Sequence, residues 1–102
     1  MKVVVIGSSN IDMVAQVSHL PAPGETVGDA NFMQSLGGKG ANQAVVAARL
    51  GGSVTFVTSL GNDMYADILK NHFKKEGITT DYIIDDVNHP TGTALIFSGP
   101  QW

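Results

Sequence analysis

The stretch Leu36-Gly-Gly-Lys-Gly-Ala-Asn-Gln-Ala44 is the most informative segment of the sequence for both fold and function. Its glycines let the backbone approach a ligand closely, and the helix start that follows offers amide donors that have no intrahelical acceptor. Residues 41–50 are rich in small side chains and end at Gly51-Gly52, which suits the left-handed end of a helix. A glycine turn that leads into such a helix predicts a site for a small polar ligand.

Two well-known glycine motifs do not fit this stretch. A P-loop needs Ser or Thr after Gly-Lys and a further glycine five residues before the Gly, but Gly40 and Met33 occupy those positions. A dinucleotide fingerprint needs a third glycine after Gly38-x-Gly40 and a core strand directly before the loop, and neither is found. The turn is therefore neither a P-loop nor a dinucleotide-binding loop.

A glycine turn alone is more often a tight loop than a binding site, so its function depends on support from other residues. Asn10 and Asp12 give that support, because they lie just past the apolar run at residues 3–6, which predicts a strand buried on both faces of a parallel sheet. Open α/β sheets bind ligands at the carboxyl ends of their strands. A carboxylate can accept hydrogen bonds from two sugar hydroxyls, and the amides of Asn10 and Asn42 can donate or accept. The combination predicts recognition of a polyol, although Asp12 alone could cap a turn and Lys39 could be a solvated charge.

The remaining elements predict an α/β domain. A second core strand is expected at residues 54–58, and a helix capped by Asn62 or Asp63 should bury a set of apolar side chains at helical spacing. That set is Met64, Tyr65, Ile68, Leu69 and Phe73. Two more strands are expected at residues 82–84 and 91–97, while residues 12–36, split by two prolines and a glycine, predict a β excursion from the core.

The glycine turn and the residues around it resemble the amino-terminal signature of the ribokinase-like (PfkB) carbohydrate kinases. The positions that match the spacing of that signature are Gly37, Gly38, Gly40, Asn42, Ala44, Gly51 and Gly61. Asn10-Ile-Asp12 and Pro23-Gly-Glu-Thr26 are independent matches, and Ala66 is a departure where the family often has glycine. The resemblance covers essentially the whole chain. It implies the amino-terminal part of a ribokinase-like Rossmann-type sandwich, one incomplete α/β domain over residues 1–102, with lid segments at about 13–36 and 91–98.

The resemblance also implies an activity and a set of site residues. The residues expected to contact the sugar are Asn10, Asp12, Gly38, Lys39, Gly40, Ala41 and Asn42. The implied reaction is transfer of the γ-phosphate of ATP to the 5-hydroxyl of D-ribose, with Mg²⁺ and a monovalent cation such as K⁺ as cofactors and a homodimer formed through the lid strands. The family's general base lies in an Asp-Thr-x-Gly-Ala-Gly-Asp segment that these residues do not contain. We therefore expect no catalytic residue here and no kinase activity from these residues alone.

Two alternatives stay open at this point. Another kinase of the same family, acting on fructose, deoxyribose or a nucleoside, would carry a similar half-site. A non-catalytic module that binds sugar weakly, or whose lid strands only mediate assembly, would also fit the retained segment.

Composition excludes several other functions. With a net charge of −3 and only six Lys and Arg, the sequence predicts no positively charged surface that could bind the phosphate backbone of a nucleic acid. The chain has no Cys, so disulfides, thiolate metal sites and thiol nucleophiles are excluded. No apolar stretch is long enough for a signal peptide or a membrane span, and we expect a cytoplasmic protein.

The remaining titratable residues predict no further site. His19, His72 and His89 are expected at surface or lid positions, because none has an acidic or His partner at the sequence spacing of a metal site or catalytic triad. Three aspartates, Asp81, Asp85 and Asp86, are interpreted as charges that keep an edge strand soluble.

Overall fold

The structure, a computed structural model, describes residues 1–100. Within them the elements follow in the order β1 (Lys2–Ile6), β2 (Asn10–Gln16), β3 (Asn31–Gly37), α1 (Lys39–Arg49), β4 (Ser53–Val57), β5 (Ser59–Gly61), α2 (Met64–Lys75), β6 (Ile84–Asp86) and β7 (Gly92–Ser98). This order confirms the predicted α/β class.

The strands of the described residues form three small sheets. β1 pairs with β4 and β5 pairs with β6, both in parallel. β2 is the centre of a mixed three-stranded sheet, antiparallel to β3 and parallel to β7. The expected β excursion is thus a sheet of its own, which we call the lid sheet, and it begins at Asn10, a few residues before the expected start near residue 13.

The first strand is buried on one face only. Val5 is 9% exposed and lies in the core cluster with Ala41 and Ala44 of α1. Val4 and Ile6 are 64% and 79% exposed. Successive side chains of a strand point to opposite faces, and in the described residues the core lies on the face of Val5. The predicted burial on both faces is therefore wrong for residues 1–100.

The two helices bury small or aromatic side chains against the sheets. Phe73 of α2 packs edge-on against Phe56 of β4 with ring centroids 5.1 Å apart, and both rings are fully buried. Ala66 and Leu69 complete the buried face of α2. Met64 and Ile68 lie off that face and are 65% and 41% exposed, so their expected burial is wrong.

The predicted element ends are close to those observed. α1 begins two residues before the expected Ala41 and is followed by Gly51-Gly52, as predicted. Asp63 caps α2, since its carboxylate accepts a hydrogen bond from the Ala66 amide at 3.0 Å. The strand expected at residues 82–84 lies at Ile84–Asp86, where it pairs with the unpredicted β5. None of the helices formed by residues 1–100 has the length and apolar character needed to cross a membrane.

Candidate functional site

The candidate site lies where the lid sheet leaves the core. Asn10 is the first residue of β2, in register with Gly37 of β3 on one side and Gly92 of β7 on the other. Asp12 follows two residues later on the same face of the sheet, between Ser35 and Ala94. The residues in register with these two polar side chains are therefore all small.

Asn10 and Asp12 form one hydrogen-bonded pair. The Asn10 Nδ2 donates to Asp12 Oδ1 at 2.6 Å, and both side chains are partly buried. This bond fixes the orientation of the amide. It leaves the Asn10 Oδ1 and the second carboxylate oxygen able to accept hydrogen bonds from a ligand. A Cβ at Gly37 would lie 2.8 Å from the Asp12 Cγ, so the absence of a side chain at position 37 allows the carboxylate its observed orientation.

The glycine turn packs directly on the segment that joins β1 to β2. Gly38 has a φ of 105°, a conformation that other residues rarely adopt, and a Cβ there would lie 2.6 Å from the Ser8 carbonyl oxygen. A Cβ at Gly40 would lie 2.7 Å from the Gly7 Cα. The turn and the start of β2 are thereby held next to each other, as the sequence predicted.

The main-chain amides of the turn differ in what they can offer a ligand. The Ala41 amide donates to the Ser8 carbonyl oxygen at 3.0 Å, and the Asn42 amide donates to the Gly38 carbonyl oxygen at 3.0 Å. The amides of Lys39 and Gly40, in the first turn of α1, have no intrahelical acceptor. The main-chain donors that the first turn of α1 can present to a ligand therefore come from these two residues.

The structure places the seven predicted contact residues at one end of the lid sheet and the start of α1, with different exposure. Gly40 and Ala41 are buried, and Lys39 and Asn42 are exposed. Since the Ala41 side chain is in the core and its amide is already bonded, Ala41 supports the turn more than it faces a ligand. The contact of the other residues with a sugar stays a prediction.

Two features near the site were missed by sequence reasoning. The Ser9 hydroxyl is buried and, among the described residues, has no hydrogen-bond partner. Asp63, expected only as a helix cap, also binds Thr91 at the start of β7. No sequence pattern pairs these two residues, which are 28 positions apart.

Two of the three histidines, His19 and His89, are exposed and lie next to a carboxylate. His19 lies 3.1 Å from Glu25, and His89 lies 2.8 Å from Asp86. Both histidine side chains are more than half exposed, which confirms their surface position, although the carboxylate partners were not expected. The Ala22 amide, and then His19, hold the pKa of Glu25 below its ordinary value. His72 is only partly buried, beside Phe73.

Two of the three aspartates near β6, Asp85 and Asp86, do more than keep an edge soluble. Asp85 forms an ion pair with Lys70 of α2 at 2.5 Å. Asp86 accepts hydrogen bonds from the Asn88 amide and the His89 ring, which lower its pKa. Among residues 1–100, no three His, Asp or Glu side chains come together as a metal site would require.

Comparison with known proteins identifies the family. Residues 1–101 match the family described as pfkB family carbohydrate kinase. The chain belongs to the pfkB family. This confirms the resemblance that the glycine turn and the Asn10-Ile-Asp12 segment indicated.

The similar pfkB proteins include several ribokinases. The ribokinase of Haemophilus influenzae is 46% identical over 92 residues, which are 90% of this chain and 30% of that protein. The solved ribokinase of Thermotoga maritima is 43% identical with a TM-score of 0.84, over 99% of this chain and 33% of that one. A ribokinase of Arabidopsis thaliana, solved as a complex with ribose and ATP, is 35% identical with a TM-score of 0.88, over 94% of this chain and 31% of that one. The chain spans about a third of the length of the ribokinases it matches.

The polar groups of this site are suited to a ligand that is rich in hydroxyl groups. The Asn10–Asp12 pair offers acceptor oxygens, and the first amides of α1 offer donors on the neighbouring turn. Because a hydroxyl both donates and accepts, vicinal hydroxyls match such a mixed set better than a phosphate or an apolar ligand would.

Proposed function

We propose that this chain is the sugar-binding part of an ATP-dependent sugar kinase that phosphorylates the 5-hydroxyl of D-ribose. The observation that carries the proposal is the Asn10–Asp12 pair, hydrogen-bonded at 2.6 Å at the base of the lid sheet and next to the glycine turn. Membership of the pfkB family and the ribokinase relatives support it.

In this proposal the side chains of the site bind and orient the sugar. The Asp12 carboxylate accepts hydrogen bonds from two hydroxyls, and the Asn10 oxygen accepts a third. Asn42 and the amides of Lys39 and Gly40 act from the turn, where they can donate to the sugar oxygens. The sugar is thus held by groups from two separate elements, which fixes its orientation as well as its position.

The lid sheet would exclude water from this site. Val14, Met33 and Ile96 lie in one row across the three strands, on the same face as Asp12 and further from the core. An apolar row beside a polar pair is suited to cover the carbon face of a sugar. This is the role we propose for the lid segments, about residues 13–36 and 91–98.

The phosphoryl donor and the cations belong to the proposal as well. ATP is the donor, in line with the ribose and ATP complex of the Arabidopsis relative. We propose Mg²⁺ and a monovalent cation such as K⁺ as its cations, and within residues 1–100 no three His, Asp or Glu side chains come together as a metal site. We propose that these 102 residues alone turn over no ATP, and a cytoplasmic location stays a prediction.

Assembly through the lid is a second proposed role, favoured by the opposite face of the lid sheet. Phe32, Leu95 and Phe97 lie on that face and are 63%, 72% and 50% exposed. Apolar side chains grouped in this way are typical of a surface that another protein covers. We propose that two copies pair through these strands.

Calorimetric titration of D-ribose into the chain tests the sugar-binding role. We expect saturable binding that Asp12→Asn weakens at least tenfold, because the substitution removes a charged acceptor while keeping the size of the side chain. Asp81→Asn, a change of an exposed aspartate outside the lid sheet, is the matched control and should leave the affinity within twofold. Tighter binding of fructose or 2-deoxyribose would point to another kinase of the family. Equal ribose affinity in all three proteins would contradict the proposal.

A further inference from the structure

The start of β7 is attached to the start of α2 by a compact set of hydrogen bonds. The Thr91 amide donates to Asp63 Oδ2 at 2.9 Å, and the Thr91 hydroxyl donates to Asp63 Oδ1 at 2.7 Å. The Thr91 hydroxyl also accepts from the Gly61 amide at 3.0 Å. We call these three residues the clamp.

The clamp is buried and closely fitted. Thr91 is only 3% exposed, and Gly61 is buried against it. A Cβ at Gly61 would overlap the Thr91 amide nitrogen and lie 2.7 Å from the His89 carbonyl oxygen. Since the Thr91 hydroxyl both donates and accepts, losing it would leave the buried Gly61 amide without its partner and would remove one of the two hydrogen bonds that Asp63 Oδ1 accepts.

The clamp lies one residue away from the candidate sugar site. Gly92, the residue after Thr91, is in register with Asn10, and a Cβ at Gly92 would lie 3.4 Å from the Asn10 Cβ. Thr91 therefore determines where β7 begins to run beside the strand that carries Asn10 and Asp12. A shift of β7 at this point changes the surroundings of both side chains.

The cap of α2 alone does not account for this arrangement. A capping carboxylate needs only the bond to the third helical amide, which Asp63 already makes with Ala66 at 3.0 Å. The same carboxylate accepts two further hydrogen bonds from a residue 28 positions away. These bonds also lower the pKa of Asp63, so the carboxylate stays charged and able to accept all three.

We propose that Asp63 and Thr91 are positioning residues of the sugar site, which hold the first residues of β7 against Asn10 and so set the geometry of the Asn10–Asp12 pair. Neither residue touches the sugar. The inference rests on the proposed sugar-binding role for its effect on affinity. Its effect on the strand at Asn10 does not depend on that role.

The pair of variants Thr91→Val and Thr91→Ser separates the clamp from the helix cap. Valine keeps the shape of threonine but removes both hydrogen bonds of the hydroxyl, and serine keeps the hydroxyl. Both leave Asp63 in place to cap α2. Hydrogen exchange of the amides at residues 92–94, compared with those of α1, reports on the position of β7, and titration of D-ribose reports on the site.

We expect Thr91→Val to raise exchange at residues 92–94 about tenfold, to leave exchange in the middle of α1 unchanged, and to weaken ribose binding about five- to tenfold. Thr91→Ser should restore both readouts to within about twofold. Unchanged exchange at residues 92–94, or a uniform rise over the whole chain, would overturn the inference. So would unchanged ribose affinity in a valine variant whose β7 exchange has risen. If the wild-type chain binds no ribose, the proposed function fails, and the exchange readout alone decides whether the clamp positions β7.

Discussion

The side chain that Gly40 lacks would collide with the backbone of Gly7, since a Cβ there would lie 2.7 Å from the Gly7 Cα. Backbone cannot move away as a flexible side chain can, so we expect Gly40→Ala to lower the free energy of unfolding by about 1–3 kcal/mol. Gly28→Ala is the control, because a Cβ at Gly28 meets nothing within 4 Å. It should change the free energy by less than about 0.5 kcal/mol. Urea denaturation of both variants makes the comparison, and equal stabilities would show that the turn does not pack on residues 7–9.

The folding stability of the chain should depend on pH through the carboxyl group of Asp63. Hydrogen bonds from the Thr91 hydroxyl and amide hold the pKa of Asp63 below the ordinary aspartate value of about 4. A carboxyl whose pKa is depressed in the folded state contributes stability that is present above its unfolded pKa and lost as the pH falls through the folded pKa. Stability should therefore fall below about pH 4, and Asp63→Asn should show a smaller loss between pH 5 and pH 2.5 than the wild type. Thermal unfolding across this range measures the difference, and parallel pH profiles would count against the clamp.

The buried face of α2 makes a prediction about packing. Phe73 is fully buried and edge-on to Phe56, so Phe73→Ala should destabilise the chain by about 3–5 kcal/mol. Met64 lies on the same helix but is 65% exposed, and Met64→Ala should cost less than about 1 kcal/mol. Chemical denaturation of the two variants tests the assignment of the face. Comparable losses would mean that the helix is rotated from the orientation described here.

Both helices could be predicted because local rules determine their ends. Gly51 can adopt the positive φ that follows α1, and Asp63 has the side chain that caps α2. The exposure of Met64 could not be predicted, because helical spacing gives a stripe of apolar residues but not which edge of the stripe meets the core. The one-sided burial of β1 depends in the same way on what packs against it.

The proximity of Asn10 and Asp12 to the glycine turn could be predicted from the sequence, and their contact with a sugar stays a prediction. The spacing of Asn10 and Asp12 on one strand ensures that they share a face, which the structure shows. The Asn10–Asp12 hydrogen bond is consistent with that local pattern. The bond between Asp63 and Thr91 joins elements far apart in the chain, and such a contact follows only from the tertiary fold.

The exposed apolar side chains of the described residues include Val4 and Ile6 on β1 and Phe32 and Phe97 on the lid sheet. We expect self-association through the lid, seen as a rise in average mass with concentration in sedimentation equilibrium. Phe97→Ser should weaken it at least tenfold, because the substitution replaces an aromatic ring with a polar group on the face of the proposed contact. Val46→Ser, at an exposed position on α1, is the control. A monomeric wild-type chain, or equal weakening by both substitutions, would contradict pairing through the lid.

The proposed function of the whole molecule depends on one contact, that of a sugar with the Asn10–Asp12 pair and the glycine turn. Nuclear magnetic resonance of isotope-labelled chain during titration with D-ribose observes it directly. We predict saturable shifts of the Asn10 side-chain amide and of the Lys39 and Gly40 main-chain amides, with resonances of the exposed end of α1 near Leu50 unchanged. The absence of shifts at Asn10 up to saturating ribose, or shifts confined to the outer face of the lid sheet around Phe32, would contradict the central claim.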